Sequence, residues 1–283
     1  MSSPTRPVTT LDKNDVLAGL FASWEAIEHL LTDLPDDRWR TETSLPGWTV
    51  HDVASHVIGT ESMLLGMPIP EADVDVSTLD HVHNEIGRLN ECWVRHLRAE
   101  EPDDMRYRLG DVTAQRSTML TNMADAEWND VTMTPAGPDT YGRFMRVRIF
   151  DCWMHEQDIR EALELPASEE ELSGIAAQRA LDELAAGMGF VVGKRGKAPD
   201  GARVALELTG PLQRAIRIAV DGRAAVVDDF GGAEPTVTIR LDGLQFTRLC
   251  GGRPVSAARP ATIDVIGDQQ AGRRIVDNLA FVI

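Results

Sequence analysis

This chain has little cysteine, little tyrosine, a deficit of positive charge and no long apolar run. Its three cysteines, Cys92, Cys152 and Cys250, are odd in number and form no Cys-x-x-Cys pair. They outline neither a disulfide framework nor a zinc ribbon, and a reducing cytoplasm suits them best. No stretch approaches the roughly 18 apolar residues of a membrane span, and the opening MSSPTRPVTT lacks the apolar core of a secretion signal. With 28 basic against 45 acidic residues and a net charge of -17, neither nucleic acid nor an anionic membrane is expected as a partner. A small organic substrate is the easier partner for such a surface.

What is present is unevenly distributed. All six tryptophans (Trp24, Trp39, Trp48, Trp93, Trp128 and Trp153) fall in the first part, whereas the clearest alternating runs follow Gly201. A boundary is expected near Leu165 to Ser168, where a proline meets a fresh helix cap. The expected organisation is a flexible lead over 1–10, a helical domain over 11–166 and a smaller α+β domain over 167–283.

In the first domain, Val16, Leu17, Leu20, Trp24, Ile27, Leu30 and Leu31 recur at helical spacing, which predicts a helix over Asn14 to Leu34, before Pro35. After Leu45-Pro46-Gly47-Trp48, Thr49 and Asp52 form a capping-box-like start for a second helix. His56 lies inside that helix on the border of its apolar stripe and is expected to face inward, with His51 exposed. A third helix is expected over Thr78 to Glu100, an acidic break at Glu100 to Asp104, a helical piece over Val112 to Met123, and a loop at MTPAGPDTYG. The run Tyr141 to Leu163 reads as the last helix of the domain.

That last helix carries Asp151 and His155, four residues apart. One turn plus roughly 40° separates them, so both side chains leave one face and can converge on a metal ion. The same spacing also produces weak charge pairs on solvated faces. Here, however, the stripe holding Asp151, His155 and Asp158 is otherwise apolar (Phe144, Val147, Ile159, Ala162), so unpartnered ionisable groups on it would cost several kcal/mol. A metal or a complete hydrogen-bond network is therefore expected. Cys152 points about 100° away from Asp151 and is expected to be inert. Arg143, Arg146 and Arg148, with Arg248, Arg253, Arg259, Arg273 and Arg274 further on, read mainly as solvating charges, one or two of which could bind a carboxylate.

In the second domain a helix is expected over Ser168 to Gly187, then short strands at RVALEL, IRIAV, AAVV and TVTIRL making an antiparallel meander. A helix near Leu244 to Cys250, the strand ATIDVI and a final helix over Asp268 to Asn278 complete a sheet with helices on one face.

The strings LPGWTVHDVASHVIG and FDCWMHEQDIREAL, followed by LDGLQFTRLCGGRP and IDVIGDQQAGRRIVDNLAFVI, resemble the mycothiol-dependent maleylpyruvate isomerase family over nearly the whole chain. The resemblance implies a DinB-like four-helix bundle and a C-terminal domain of sterol-carrier-protein type. It implies zinc, or another divalent metal, held by His56, Asp151 and His155, with Asp151 standing where the family pattern often has Glu. Asp158 reads as an acceptor that fixes the His155 tautomer or, equally, as a surface pair.

It implies that the metal activates an external thiol, mycothiol, against a small electrophile, giving isomerase or S-transferase chemistry. The protein is expected to be a cytoplasmic monomer or homodimer. Two other functions remain open on the residues. One is a small-molecule or lipid-binding protein with a vestigial or regulatory metal site. The other is a metal-dependent hydrolase, for which Glu61 and Glu156 are weak candidates as general base.

Overall fold

A computed structural model describes residues 8–253 and 262–282. Residues 1–7 of the expected lead, Arg259 and the first residue of the ATIDVI run lie outside them. Contacts divide the chain into two units, Met1–Pro166 and Ala167–Ile283.

In the first unit, Asp12 caps α1 (Lys13–Thr32) by accepting from the Asp15 amide, and the helix buries Val16, Leu17, Leu20, Trp24, Ile27 and Leu31 on one stripe. Fully burying each of these side chains contributes roughly 1.5–3 kcal/mol before entropy is subtracted. Helix α2 (Val50–Leu64) starts at a complete capping box between Thr49 and Asp52. Helix α3 is Glu85–Leu97, shorter than the expected Thr78 to Glu100. Only a 3-10 turn forms at Val76–Thr78, and Asn84 supplies the cap at the later start.

The acidic run Glu100 to Asp104 begins a helix instead of interrupting one. Helix α4 is Pro102–Asn122, with Pro102 in its first turn and Asp103 and Asp104 beside it, where a missing N–H costs nothing and negative charge suits the dipole. A short α5 (Asp125–Asn129) leads to a hairpin, β1 (Val131–Thr134) and β2 (Gly137–Thr140), where a loop was expected. Gly137, at φ 94°, supplies the left-handed turn that closes it. Helix α6 (Tyr141–Leu163), capped by Thr140, closes the unit and ends at Glu164 in the left-handed conformation.

Helices α1, α2, α4 and α6 pack together, and α3 lies against α2. Gly59 permits that last contact, because Trp93 of α3 lies over it and a Cβ there would overlap the indole.

In the second unit the expected single helix is broken into α7 (Glu169–Ser173) and α8 (Ile175–Phe190), with Gly174 between them. Five strands follow: β3 (Arg203–Thr209), β4 (Arg214–Asp221), β5 (Arg223–Val227), β6 (Val237–Asp242) and β7 (Asp264–Gly267), in the order β5-β4-β3-β6-β7. The pairings are antiparallel except β3–β6, which is parallel, so the sheet is mixed and not a simple meander. The reason is connectivity: β6 joins the free edge of β3 instead of extending the hairpin from β5.

Val204, Leu206 and Leu208 stand in register with buried Ile216, Ile218, Val237, Ile239 and Leu241, while Glu207 and Arg240 pair on the other face. Helix α8, α9 (Gly243–Cys250) and α10 (Gln269–Val276) pack on the strands. Among the described residues, no helix is long and apolar enough to cross a membrane.

Gly59→Ala is expected to destabilise the protein by about 1–3 kcal/mol, since the close approach of α3 leaves no room for a methyl group. Urea unfolding of the variant beside wild type measures this.

Candidate metal centre

The inward stripe of α6 meets the middle of α2 at three side chains. His56 Nε2 lies 3.0 Å from Asp151 Oδ2, and His155 Nε2 lies 3.5 Å from Asp151 Oδ1. One donor atom from each of His56, Asp151 and His155 falls within 4.8 Å of the others, and among the described residues this is the one such grouping of histidine, cysteine or carboxylate side chains. His56 is 4% exposed, while Asp151 keeps 32% of its side-chain surface accessible, so the cluster opens on the side of the carboxylate.

Each member is held by its surroundings. His155 Nδ1 donates to Asp158 Oδ2 at 3.2 Å, which leaves Nε2 as the nitrogen facing the cluster. Ser44 Oγ, at 3.5 Å, donates to the other Asp158 oxygen. His56 Nδ1 is buried without a hydrogen-bond partner. The Trp48 ring lies 5.4 Å from His56 and 6.2 Å from His155, covering both imidazoles. It is fixed there by its Nε1, which donates to Glu91 Oε2 at 3.1 Å, an oxygen that His81 Nε2 also approaches at 3.2 Å.

Behind Asp151 runs a chain of buried charge. Arg148 Nη1 donates to Asp151 Oδ2, while Arg148 Nε donates to Glu61 Oε1 at 2.9 Å. Arg116 Nε takes the other Glu61 oxygen at 2.9 Å. Arg116 and Glu61 are wholly buried and Arg148 nearly so. Ionised groups in such a place persist only when paired, and here each carboxylate meets a guanidinium.

The electrostatics follow. Burial lowers the His56 pKa, and the opposing pull of Asp151 does not restore it, so this imidazole is neutral near pH 7. Burial also acts downward on His155, but the Asp151 and Asp158 carboxylates outweigh it and the pKa rises above 6.5. For Asp151, burial acts upward, yet Arg148 and the two histidines hold the carboxyl well below 3.8. Burial pushes the Cys152 thiol up to about 12.

Two neutral-capable imidazole nitrogens and one ionised carboxylate, converging with one side open, suit zinc or a similar divalent ion with a free position. Asp158 sits as an acceptor behind one ligand, as outer partners of metal-bound histidines do.

Several sequence expectations need correction here. His51 is buried, not exposed: its Nε2 donates to the Glu100 carbonyl at 3.1 Å and its ring meets Trp39 edge-on. Arg143, Arg146 and Arg148 are buried, not solvating. Glu61 has both oxygens held by arginines, and Glu156 is buried against Arg160 at 2.7 Å, so neither carboxylate is placed as a general base. The ion-pair chain left one trace in the sequence, the three-residue step from Arg148 to Asp151, which puts both on the same helical face. Glu61 stood out in the sequence only as a weak candidate base, and nothing local announced its arginine partners or Arg116, which reaches the site from α4.

A helical unit with an inward His/Asp/His set, followed by a sheet unit bearing three helices, defines a two-unit class of protein. The family model described as the mycothiol maleylpyruvate isomerase N-terminal domain matches residues 20–160, and the MDMPI C-terminal domain matches residues 178–274. The chain belongs to the mycothiol-dependent maleylpyruvate isomerase family.

It is 25% identical over 158 residues to two Mycobacterium tuberculosis proteins, uncharacterized protein MT0041 and uncharacterized protein Rv0036c, from different strains; each match takes in 54% of this chain and spans 58% of the relative's length. The fold is similar to the crystal structure of the mycothiol-dependent maleylpyruvate isomerase, with a TM-score of 0.59 at 15% identity, covering 90% of this chain and 93% of that one. A histidine-to-alanine mutant of that isomerase aligns with a TM-score of 0.57 at 16% identity and the same coverage. At such identities the likeness is one of fold.

The raised His155 pKa has a consequence for the metal-free protein. A proton held more tightly in the folded state stabilises it fully below pH 6.5, and that contribution is lost as pH rises through the folded pKa. His56 shifts the other way, so its contribution is complete above pH 6.5 and does not oppose the trend. Urea unfolding in the presence of a chelator should therefore show stability falling as pH rises above 6.5, and a smaller fall in Asp158→Asn.

Proposed function

We propose that this protein is a metal- and thiol-dependent enzyme of the isomerase or S-transferase type, in which an external thiol, mycothiol in this family's manner, attacks a small electrophile. The observation that carries the reading is the convergence of His56 Nε2, Asp151 and His155 Nε2 within 4.8 Å in a helical unit of this family. A divalent ion such as zinc, held by those three residues, would lower the pKa of a thiol at its open position into the neutral range.

The remaining chemistry belongs to the chain. Asp158 keeps the His155 proton on Nδ1 and so keeps Nε2 available. Burial keeps His56 uncharged and therefore able to offer a lone pair. The Trp48 ring, tilted beside both imidazoles, presents them an apolar surface, and a less polar surrounding strengthens the electrostatic interactions of the cluster.

Two further observations favour an external thiol. Cys152 is buried, hydrogen-bonded by Arg148 Nη2 at 3.4 Å and pushed up to about 12, so it is not a thiolate source near neutral pH. Glu61 and Glu156, the carboxylates considered as bases for hydrolysis, are locked in ion pairs. In the proposed reaction the thiolate sulfur adds to one carbon of a conjugated double bond. An isomerase then lets the new single bond rotate and expels the sulfur, whereas a transferase protonates and keeps the adduct.

The test is metal content and turnover together. Purified wild type should carry about one zinc per chain, with His56→Ala and His155→Ala losing it and Asp151→Glu retaining it. Consumption of an activated alkene such as maleylpyruvate should require both thiol and metal and should survive Cys152→Ser. Equal metal in wild type and both histidine variants would remove the site. A Cys152→Ser protein of normal fold that no longer turns over would remove the external-thiol mechanism.

A further inference from the structure

The cation behind Asp151 is placed where an incoming metal ion would meet it. Arg148 Nη1 shares Asp151 Oδ2 with His56 Nε2, and His155 Nε2 faces Oδ1, so both carboxylate oxygens already have partners in the protein alone. Arg148 cannot easily withdraw. Glu61 Oε1 holds its Nε at 2.9 Å and its Nη2 at 2.8 Å, and Glu61 is itself fixed by Arg116 in the bundle interior. Nor can it lose its charge, because a guanidinium stays protonated throughout the accessible pH range. Arg116, Glu61, Arg148 and Asp151 form two cations and two anions, a set that is neutral before any ion arrives.

We propose that Arg148 is a resident counter-cation of the His56/Asp151/His155 cluster, which competes with a divalent ion for the Asp151 carboxylate and thereby weakens the site's hold on it. This rests on the metal reading above. The opposing possibility is that Arg148 merely braces Asp151 and so helps binding. Magnitudes decide between them. Aspartate has only two side-chain torsions, so loss of a brace costs little ordering. A fixed unit charge within a side chain's length of a divalent ion, in a partly desolvated site, acts far more strongly. Arg148 is thus a positioning residue with two effects of opposite sign: it stabilises the metal-free bundle by pairing Asp151, and it holds down affinity for the ion.

The experiment is zinc affinity, measured by competition with a chromophoric chelator, alongside thermal melting of the metal-free protein. Wild type, Arg148→Met, Arg148→Gln and His155→Ala are compared. Both neutral Arg148 variants leave Glu61 paired with Arg116, and Arg148→Gln keeps a donor toward Glu61, so it carries the measurement if Arg148→Met does not fold.

The expected result is zinc bound at least tenfold more tightly in the neutral variants, while their metal-free melting temperature falls. Unchanged or weaker zinc binding in a folded neutral variant overturns the proposal and leaves the metal site standing. Wild type that takes up no more zinc than His155→Ala overturns the metal reading, and this proposal with it.

Discussion

The site depends on one constraint: charge placed inside a helical bundle must be matched there. Asp151, Glu61, Arg116 and Arg148 lie where desolvation of an unpaired ion costs several kcal/mol. The bundle meets this with alternating signs, Arg116 to Glu61 to Arg148 to Asp151, each link a charge-assisted hydrogen bond. Because that chain crosses from α4 through α2 to α6, it ties the three helices at the depth of the histidines. The fold and the candidate centre are therefore held by the same contacts.

Helix α6 shows how far one stripe can be put to use. Arg148, Asp151, His155 and Asp158 follow at steps of three, four and three residues, so all four project inward along a single line. Their order matters. The guanidinium and Asp158 flank the Asp151–His155 pair, one pulling the carboxyl pKa down and the other helping raise the imidazole's. Trp48 lies over the two imidazoles, His56 and His155, its indole N–H held by Glu91, an oxygen of which His81 also approaches. Two different polar anchors thus set the two sides of one cluster: buried ion pairs behind the carboxylate, and a hydrogen-bonded indole over the rings.

Much of this was legible in advance because it is local. The period of Val16 to Leu31, the Thr49–Asp52 capping box and the run Tyr141 to Leu163 are each decided by residues within a turn or two of one another, and the helices form where those signals lie. Where a signal was ambiguous, the reading failed. An acidic run beside Pro102 resembles a break, yet it is also the composition of a helix start. His51 looked exposed because its partners, Trp39 and the Glu100 carbonyl, lie outside its own helix.

By itself the sequence determined α1, α2 and α6, the strand periodicities after Gly201, the inward stripe holding Asp151 and His155, and the likeness to a family of thiol-dependent isomerases. Those properties follow from residues close in the chain, or from strings long enough to be distinctive. Tertiary structure alone decided that β6 runs parallel beside β3, that Trp48 covers the imidazoles, and that Glu61 and Arg116 anchor Arg148 against Asp151. Each brings together residues of different elements, most of them 30 or more positions apart. The free energy of such a contact depends on burial and on the partner's charge, and neither exists until the chain has folded.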